Sequence, residues 1–412
     1  MYFKLVYFSL FLFVPTSLIS QVSAPPSTDV SFEKIVLFDN YISEGASIGD
    51  IDGDGNQDIV AGVLWWKGPD FKNRYAFAPL KVFPVTGPGL VGYSTNFFTF
   101  PYFIDQDQWM DILQIGVPGT DSQWIRNPGK NPQTELHEMN TQSTFKALEH
   151  VCNEAPLLEN IIGDSKRELL AYSNGAIVIG IPSAGDNGWK SFAISPQDNE
   201  RFGRYIHGLG AGDLNGDDRI DIVERAGWWE QPKNWDMETL WKFHAYPFSP
   251  DEGGAQMYCY DIDGDNDLDV VTAMNAHAYG LSWHEQIKTD GNIHFKEHKI
   301  LTDKASDNKY GVCFSQIHAL ASADIDNDGI NDIITGKRYY AHNGRDPEAE
   351  EPAVIYWFKT LRKNNGEIEM IPYLIDSNSG VGTQISSGDL NKDGKYDIVT
   401  SNKKGVFAFI QK

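Results

Sequence analysis

The chain has 412 residues, with 34 Lys and Arg against 57 Asp and Glu, giving a formal charge of −23. That acidity excludes a nucleic-acid or anionic-membrane partner, because either surface would repel the protein at long range. A hydrophobic content of 41% excludes wholesale disorder, and 38 Gly with 20 Pro indicate many turns rather than long helices.

Residues 1–20 carry one early cation, Lys4, and then an apolar run from Leu5 towards Ile19. This reads as a secretory signal, followed by a linker over 21–31. A periplasmic or secreted protein is expected, with no membrane insertion after signal removal. Cys152, Cys259 and Cys313 are too few and too scattered for a disulfide framework or a zinc cluster, and read as buried structural thiols.

From residue 32 onwards one motif recurs. Asp50, Asp52, Asp54 and Asp58 mark an acidic loop that runs into a β-branched strand. The register returns at Asp213, Asn215, Asp217 and Asp221, and at Asp261, Asp263, Asp265 and Asp269. It returns again at Asp324, Asp326, Asp328 and Asp332, and at Asp389, Asn391, Asp393 and Asp397. Two eroded copies lie between the first and second of these: Asp105, Asp107 and Asp111, then Asp164 with Glu168. The last acids fall at 58, 111, 168, 221, 269, 332 and 397. Such spacing suits four short strands per unit, so an all-β, seven-bladed β-propeller over 32–412 is expected, with a solenoid as the alternative. The run Phe32-Glu-Lys-Ile-Val-Leu-Phe38 reads as an outer strand that closes the last blade, whose own outer strand is missing.

Carboxylates at positions 1, 3, 5 and 9 of a tight loop place oxygens around one point, and hard oxygen ligands without His or Cys suit Ca²⁺. The ions are expected to be structural. The stretch from Phe202-Gly203 through Gly210-Ala-Gly-Asp-Leu-Asn-Gly-Asp217 resembles the FG-GAP, or VCBS, repeat of integrin-type and bacterial propellers. Members of that family include calcium-stabilised binding modules and carbohydrate-active enzymes, so the resemblance implies the fold without settling the function.

The residue six positions before each loop is Glu44, Phe97, Glu154, His207, Ala255, His318 or Thr383. This register should line the mouth of the central channel, and four of the seven are acids, bases or ligands. A catalytic divalent metal at His207 and His318 is an open alternative. Loops on the same face add Arg225, then Asn275, His277 and Tyr279, then Lys337, Arg338, Tyr339, Tyr340 and His342. The Trp pairs Trp65-Trp66 and Trp228-Trp229 read as blade packing.

Two Glu at no fixed separation do not define a glycosidase pair. His with Arg or Lys and Tyr suits β-elimination beside a uronic carboxylate. In that reaction a cation or metal stabilises the enolate-like charge, a neutral His takes the C5 proton, and a Tyr or second His protonates the departing oxygen. The runs Gly336-Lys-Arg-Tyr-Tyr-Ala-His342 and Ser379-Gly-Val-Gly-Thr-Gln384 resemble propellers of polysaccharide-degrading marine bacteria, ulvan oligosaccharide dehydratases among them. That resemblance implies a dehydratase acting on uronic-acid-containing oligosaccharides, and a monomer is expected. A polysaccharide lyase and a non-catalytic glycan- or protein-binding propeller are the alternatives.

Overall fold

The computed structural model describes residues 22–130, 143–184, 188–250 and 252–412. The expected signal over 1–20 lies outside the described residues.

The described chain is a succession of short antiparallel meanders. The first comprises β2 (Ala46–Gly49), β3 (Asp58–Ala61), β4 (Leu64–Trp66) and β5 (Arg74–Ala76); the second β6 (Phe98–Tyr102), β7 (Asp111–Ile115), β8 (Gln123–Ile125) and β9 (Thr144–Lys146). A third holds β10 (Leu157–Glu159), β11 (Glu168–Ser173), β12 (Ala176–Ile181) and β13 (Lys190–Ala193). Next come β14 (Leu209–Gly212), β15 (Asp221–Glu224), β16 (Gly227–Glu230) and β17 (Lys242–Ala245). These share a sheet with β18 (Gln256–Tyr260), β19 (Asp269–Ala273), β20 (Leu281–Thr289) and β21 (Asn292–Leu301). The last two sheets are β22 (Leu320–Ala323), β23 (Asp332–Gly336), β24 (Ile355–Arg362) and β25 (Ile368–Asp376), then β26 (Ile385–Gly388), β27 (Asp397–Asn402) and β28 (Gly405–Gln411). The fourth strand of that final sheet is β1 (Phe32–Phe38), which pairs antiparallel with β28 from Phe32–Gln411 to Phe38–Val406.

The arrangement is an all-β, propeller-like ring. It corrects the expectation of seven separate blades: five sheets stand alone with four strands, and one sheet has eight. The physical cause is a parallel pairing of β14 with β18, Leu209–Gln256 through Ala211–Tyr258, which continues one hydrogen-bonded ladder across two meanders. Gly210 permits this approach, since a Cβ there would collide with the Met257 carbonyl oxygen.

Each acidic loop is stapled by its last acid. Asp58 is buried and accepts the Ile51 N–H at 2.8 Å on one oxygen and the Gly68 N–H at 2.8 Å on the other. Asp111, Asp221, Asp269, Asp332 and Asp397 repeat both bonds. The recurring acid therefore fixes the turn from the loop into the second strand and ties in the end of the third.

Neighbouring meanders are also stitched. Asn127 donates to the Ile51 carbonyl at 2.8 Å, Gln231 to that of Ile161 at 3.0 Å, and Gln411 to that of Ile325 at 2.9 Å. Arg362 makes the equivalent bond to Ile262 at 2.8 Å. Apolar residues from adjacent sheets form the core between them; Ile59 and Trp66 of the first sheet pack with Val399 and Ala408 of the last. At the centre, Gln256 donates to the Thr383 carbonyl at 3.0 Å and Gln384 to that of Thr99 at 2.9 Å, so polar side chains cross the channel.

Trp65 stacks on Tyr75 and Trp228 on His244, with ring centroids 4.6 and 4.0 Å apart. All four tryptophans of the two pairs are buried, which leaves them in blade packing. The three cysteines are free; Cys152 is buried, and Cys259 and Cys313 are half-buried. Among the described residues no helix is long and apolar enough to cross a membrane.

Candidate functional site

The register before each innermost strand converges on one mouth of the channel. Glu44 precedes β2, Phe97 precedes β6, Glu154 precedes β10, His207 precedes β14 and His318 precedes β22. Thr383 seals the set: its N–H donates to the Glu44 carbonyl at 2.7 Å and its hydroxyl to the Phe97 carbonyl at 2.7 Å. Each of these residues sits at the N-terminal end of an innermost strand, so the ring of strands gathers them at the same end of the channel. Gly382 makes the approach possible, because a Cβ there would overlap the Glu44 and Ser401 carbonyl oxygens.

Arg338 lies at the core of this cluster, 2% exposed. Its guanidinium meets Glu44 Oε2 at 3.1 Å and Glu154 Oε2 at 3.3 Å, beneath the rings of Tyr93 and Phe97. Burial opposes its charge, but Glu44 and Glu154 outweigh burial and raise its pKa. Glu44 also accepts the Tyr41 hydroxyl, and that hydroxyl accepts the Ser94 N–H at 2.7 Å. Glu154 stands 3.6 Å from His207 Nε2. Burial alone would raise its carboxyl, but His207, Arg338 and His277 together bring it down to about 2.

Three imidazoles gather beside this network. The rings of His207 and His318 lie 5.4 Å apart, and His277 lies 5.2 and 4.8 Å from them. His277 belongs to the β19–β20 loop and shares Asp346 with His342: Asp346 is 3.3 Å from His277 Nδ1 and 3.0 Å from His342 Nδ1. Burial would raise the Asp346 carboxyl, but its bonds to the two imidazoles hold it well below the usual carboxylate range. Burial is the main cause of lowered basicity at both His277 and His318; Arg338 adds to it at His318, and Asp346 partly restores it at His277.

His342 and Asp346 come from the long segment between β23 and β24, which crosses to the loop ahead of β6. The His342 N–H donates to the Tyr93 hydroxyl at 2.9 Å, and Asn343 exchanges two hydrogen bonds with Gly87. Tyr340, His342 and Asn343 all adopt left-handed backbone, with φ of 53°, 49° and 57°. Three such non-glycine residues in one turn are costly and cluster at functional sites. Above the cluster is an open pocket of about 200 Å³, walled by Tyr93, Phe97, Tyr205 and His342, with Glu154 and Arg338 at its floor and Arg345 at its rim.

Other anticipated residues lie elsewhere. Lys337 is buried and donates to the Glu348 carbonyl, away from the cluster. Tyr339 lies under Lys404, and the Tyr340 carbonyl accepts from Lys403 at 3.0 Å; neither tyrosine lines the pocket. Arg225 packs against Gly208 and Gly253, behind His207. Tyr279 forms a β-bridge with Ser315 outside the cluster. Conversely, Asp346, Tyr93, Tyr41, Tyr205 and Lys403 carried no signal in the repeat register, because they sit on insertions or hairpins outside it.

On the opposite, loop-bearing side, the acids fall into tight groups: Asp50, Asp52 and Asp58; Asp261, Asp263 and Asp265; Asp324, Asp326 and Asp332. Within each group one oxygen per residue lies within 4.8 Å of the others. Lys67 bridges Asp52 and Asp54, Lys359 bridges Asp326 and Asp328, Arg126 meets Asp105 at 2.6 Å, and Arg219 meets Asp217.

Comparison with protein-family models and with curated proteins finds no match. Among solved structures, the chain is similar to an Agrocybe aegerita lectin recognising non-reducing terminal N-acetylglucosamine, with 17% identity over 84% of this chain and 81% of that one, TM-score 0.46. It is also similar to a Bacillus licheniformis rhamnogalacturonan lyase, with 12% identity over 95% of this chain and 75% of that one, TM-score 0.41. At such identities and scores no function transfers.

Proposed function

We propose that the protein is a carbohydrate-active carbon–oxygen lyase that removes water from the terminal uronic acid of polysaccharide-derived oligosaccharides, leaving an unsaturated uronyl end. The observation that carries this reading is the Asp346–His342 pair on the pocket wall. His342 lines the pocket and Asp346 engages its Nδ1, which leaves Nε2 as the nitrogen to act as a proton acceptor, as in general-base histidines. Tyr205, exposed on the pocket wall, offers an aromatic ring to a pyranose, and Arg345 at the rim supplies a cation for the carboxylate. Arg338, one of the basic candidates in the sequence beside Arg225 and Lys337, is already committed to Glu44 and Glu154.

The pocket volume of about 200 Å³ favours one terminal ring over a bound polysaccharide chain. Pockets for drug-sized ligands begin at about 300 Å³. A site of that size suits an end sugar. Structural Ca²⁺ in the acidic loops is part of the same reading, supported by the carboxylate groupings on the opposite side of the ring.

The test is incubation with uronate-ended oligosaccharides, followed by near-ultraviolet absorbance and mass. A new absorbance with loss of one water and no change in chain length is the expected result. Shorter fragments would make the protein a polysaccharide lyase, and binding with neither change would make it a recognition module.

A further inference from the structure

We infer that His207, His277 and His318 form a binding site for one divalent transition-metal ion of the zinc class, separate from the carboxylate loops. One ring nitrogen of each lies within 4.8 Å of the others. An ion about 2.0–2.1 Å from each nitrogen would draw them to about 3.3 Å of one another, so the rings close on it when it binds. Three observations single out this trio.

The first is unspent hydrogen-bonding capacity. His207 and His318 are fully buried, yet neither nitrogen of His207 and not Nε2 of His318 has a hydrogen-bond partner. Buried imidazole nitrogens without partners are costly in a folded protein, and an ion would satisfy them. The second is the outer partners. His277 Nδ1 faces Asp346 at 3.3 Å and His318 Nδ1 faces the Gln316 carbonyl at 3.4 Å, so each ring is turned to offer Nε2. Carboxylate and carbonyl partners of this kind orient metal-ligating histidines. The third is charge. The two buried carboxylates of Glu44 and Glu154 contact a single guanidinium, that of Arg338, and Glu154 touches His207. A cation on His207 would lie against the Glu154 carboxylate, while Lys403 acts on Glu44.

The donor set is all imidazole, which selects zinc, iron, nickel or copper over calcium and magnesium. Three protein ligands leave a coordination position open, and the side chain of His277 keeps 22% exposure, so the cluster is not sealed from solvent. The inference rests on this geometry and not on the proposed elimination.

The experiment uses the full chain stripped with dipicolinate, dialysed into excess Ca²⁺ to saturate the acidic loops, and titrated with Co²⁺ and Zn²⁺. One equivalent of Co²⁺ with visible d–d absorption, displaced by Zn²⁺, is expected. His318→Ala and His277→Gln should each weaken binding at least 100-fold, and Asp346→Asn by about 10- to 100-fold. His294→Ala, altering an exposed histidine elsewhere, should leave it unchanged. Near-ultraviolet circular dichroism identifies variants that keep the fold; His277→Gln, at the half-exposed ligand, is the informative one if His318→Ala does not. Absence of tight Co²⁺ binding by the wild type, or unchanged affinity in folded His277→Gln, overturns the site. Because no sugar is involved, either result is distinguishable from a failure of the dehydratase reading.

Discussion

Arg338 and Glu154 are 184 residues apart in sequence, yet their side chains meet at 3.3 Å in the buried mouth of the channel. Glu44 completes the bridge from a third sheet, and the trio locks three separate units of the ring to one another. Removing one partner of a buried ion pair strands the others, at a cost of about 3–5 kcal/mol. Arg338→Ala is therefore expected to lower the denaturant midpoint sharply, whereas Arg345→Ala at the rim should leave it nearly unchanged. Equal midpoints for the two variants would count against a structural role for the trio.

His342→Ala is expected to reduce turnover of a uronate-ended oligosaccharide by about 10²–10⁴-fold, the usual contribution of a positioned general base. Asp346→Asn should act in the same direction, because it disturbs the ring orientation that Asp346 imposes on His342. Steady-state kinetics separate this from a binding defect: kcat should fall while KM stays close to the wild-type value.

Lys403 supplies a pH signature. Burial lowers its pKa to about 8, with Arg338 acting in the same direction and Glu44 and Asp346 opposing it; its amine also lies over the Tyr93 ring and donates to the Tyr340 carbonyl. In the unfolded chain the amine titrates near its ordinary value of 10.5. Between these two values the unfolded state binds more protons, so folding stability contributed by this group rises with pH from about 8 to about 10.5. Denaturation in this window should show that rise in the wild type relative to Lys403→Met. Parallel pH curves for the two proteins would refute it.

The acidic loops separate two kinds of carboxylate. Asp58→Ala leaves the Ile51 and Gly68 N–H groups without partners and should cost about 1–3 kcal/mol for each stranded group. That loss should persist in EGTA, because the bonds are to backbone. Stability contributed by Ca²⁺ should instead disappear in EGTA and return with Ca²⁺ but not Mg²⁺. Thermal unfolding of wild type and Asp58→Ala in the two buffers checks both expectations.

Gly382→Ala is expected to destabilise the ring, since its Cβ would overlap the Glu44 and Ser401 carbonyl oxygens and neither lies on a mobile side chain. Gly394→Ala, in an exposed loop with open space around the same atom, is the control for position. Gly394 has a φ of 81°, so it should lose only the modest stability that a left-handed backbone costs.

The recurring loop followed by a β-branched strand was legible without coordinates, because an acid that staples a turn must recur at a fixed distance from the strand it starts. From it came the all-β, ring-like architecture and the register that points Glu44, Glu154, His207 and His318 at the axis. The count of separate blades was not legible. Whether β14 and β18 come close enough to share a ladder depends on the local tilt of two meanders, and Gly210 reports that closeness only once Met257 is seen against it.

By itself, then, the sequence determined what is periodic: short strands, stapled acidic turns and the inward residue of each innermost strand, all set by local backbone geometry. Only the tertiary structure decided the site. Asp346, Tyr93 and Lys403 have no periodic signal, and their proximity to His342, Arg338 and Glu44 arises where insertions from different sheets fold over the same end of the channel. The same closure decided the role of Arg338. A basic residue in an acidic chain reads as a ligand for substrate, but burial between two carboxylates gives it a charge to balance inside the protein.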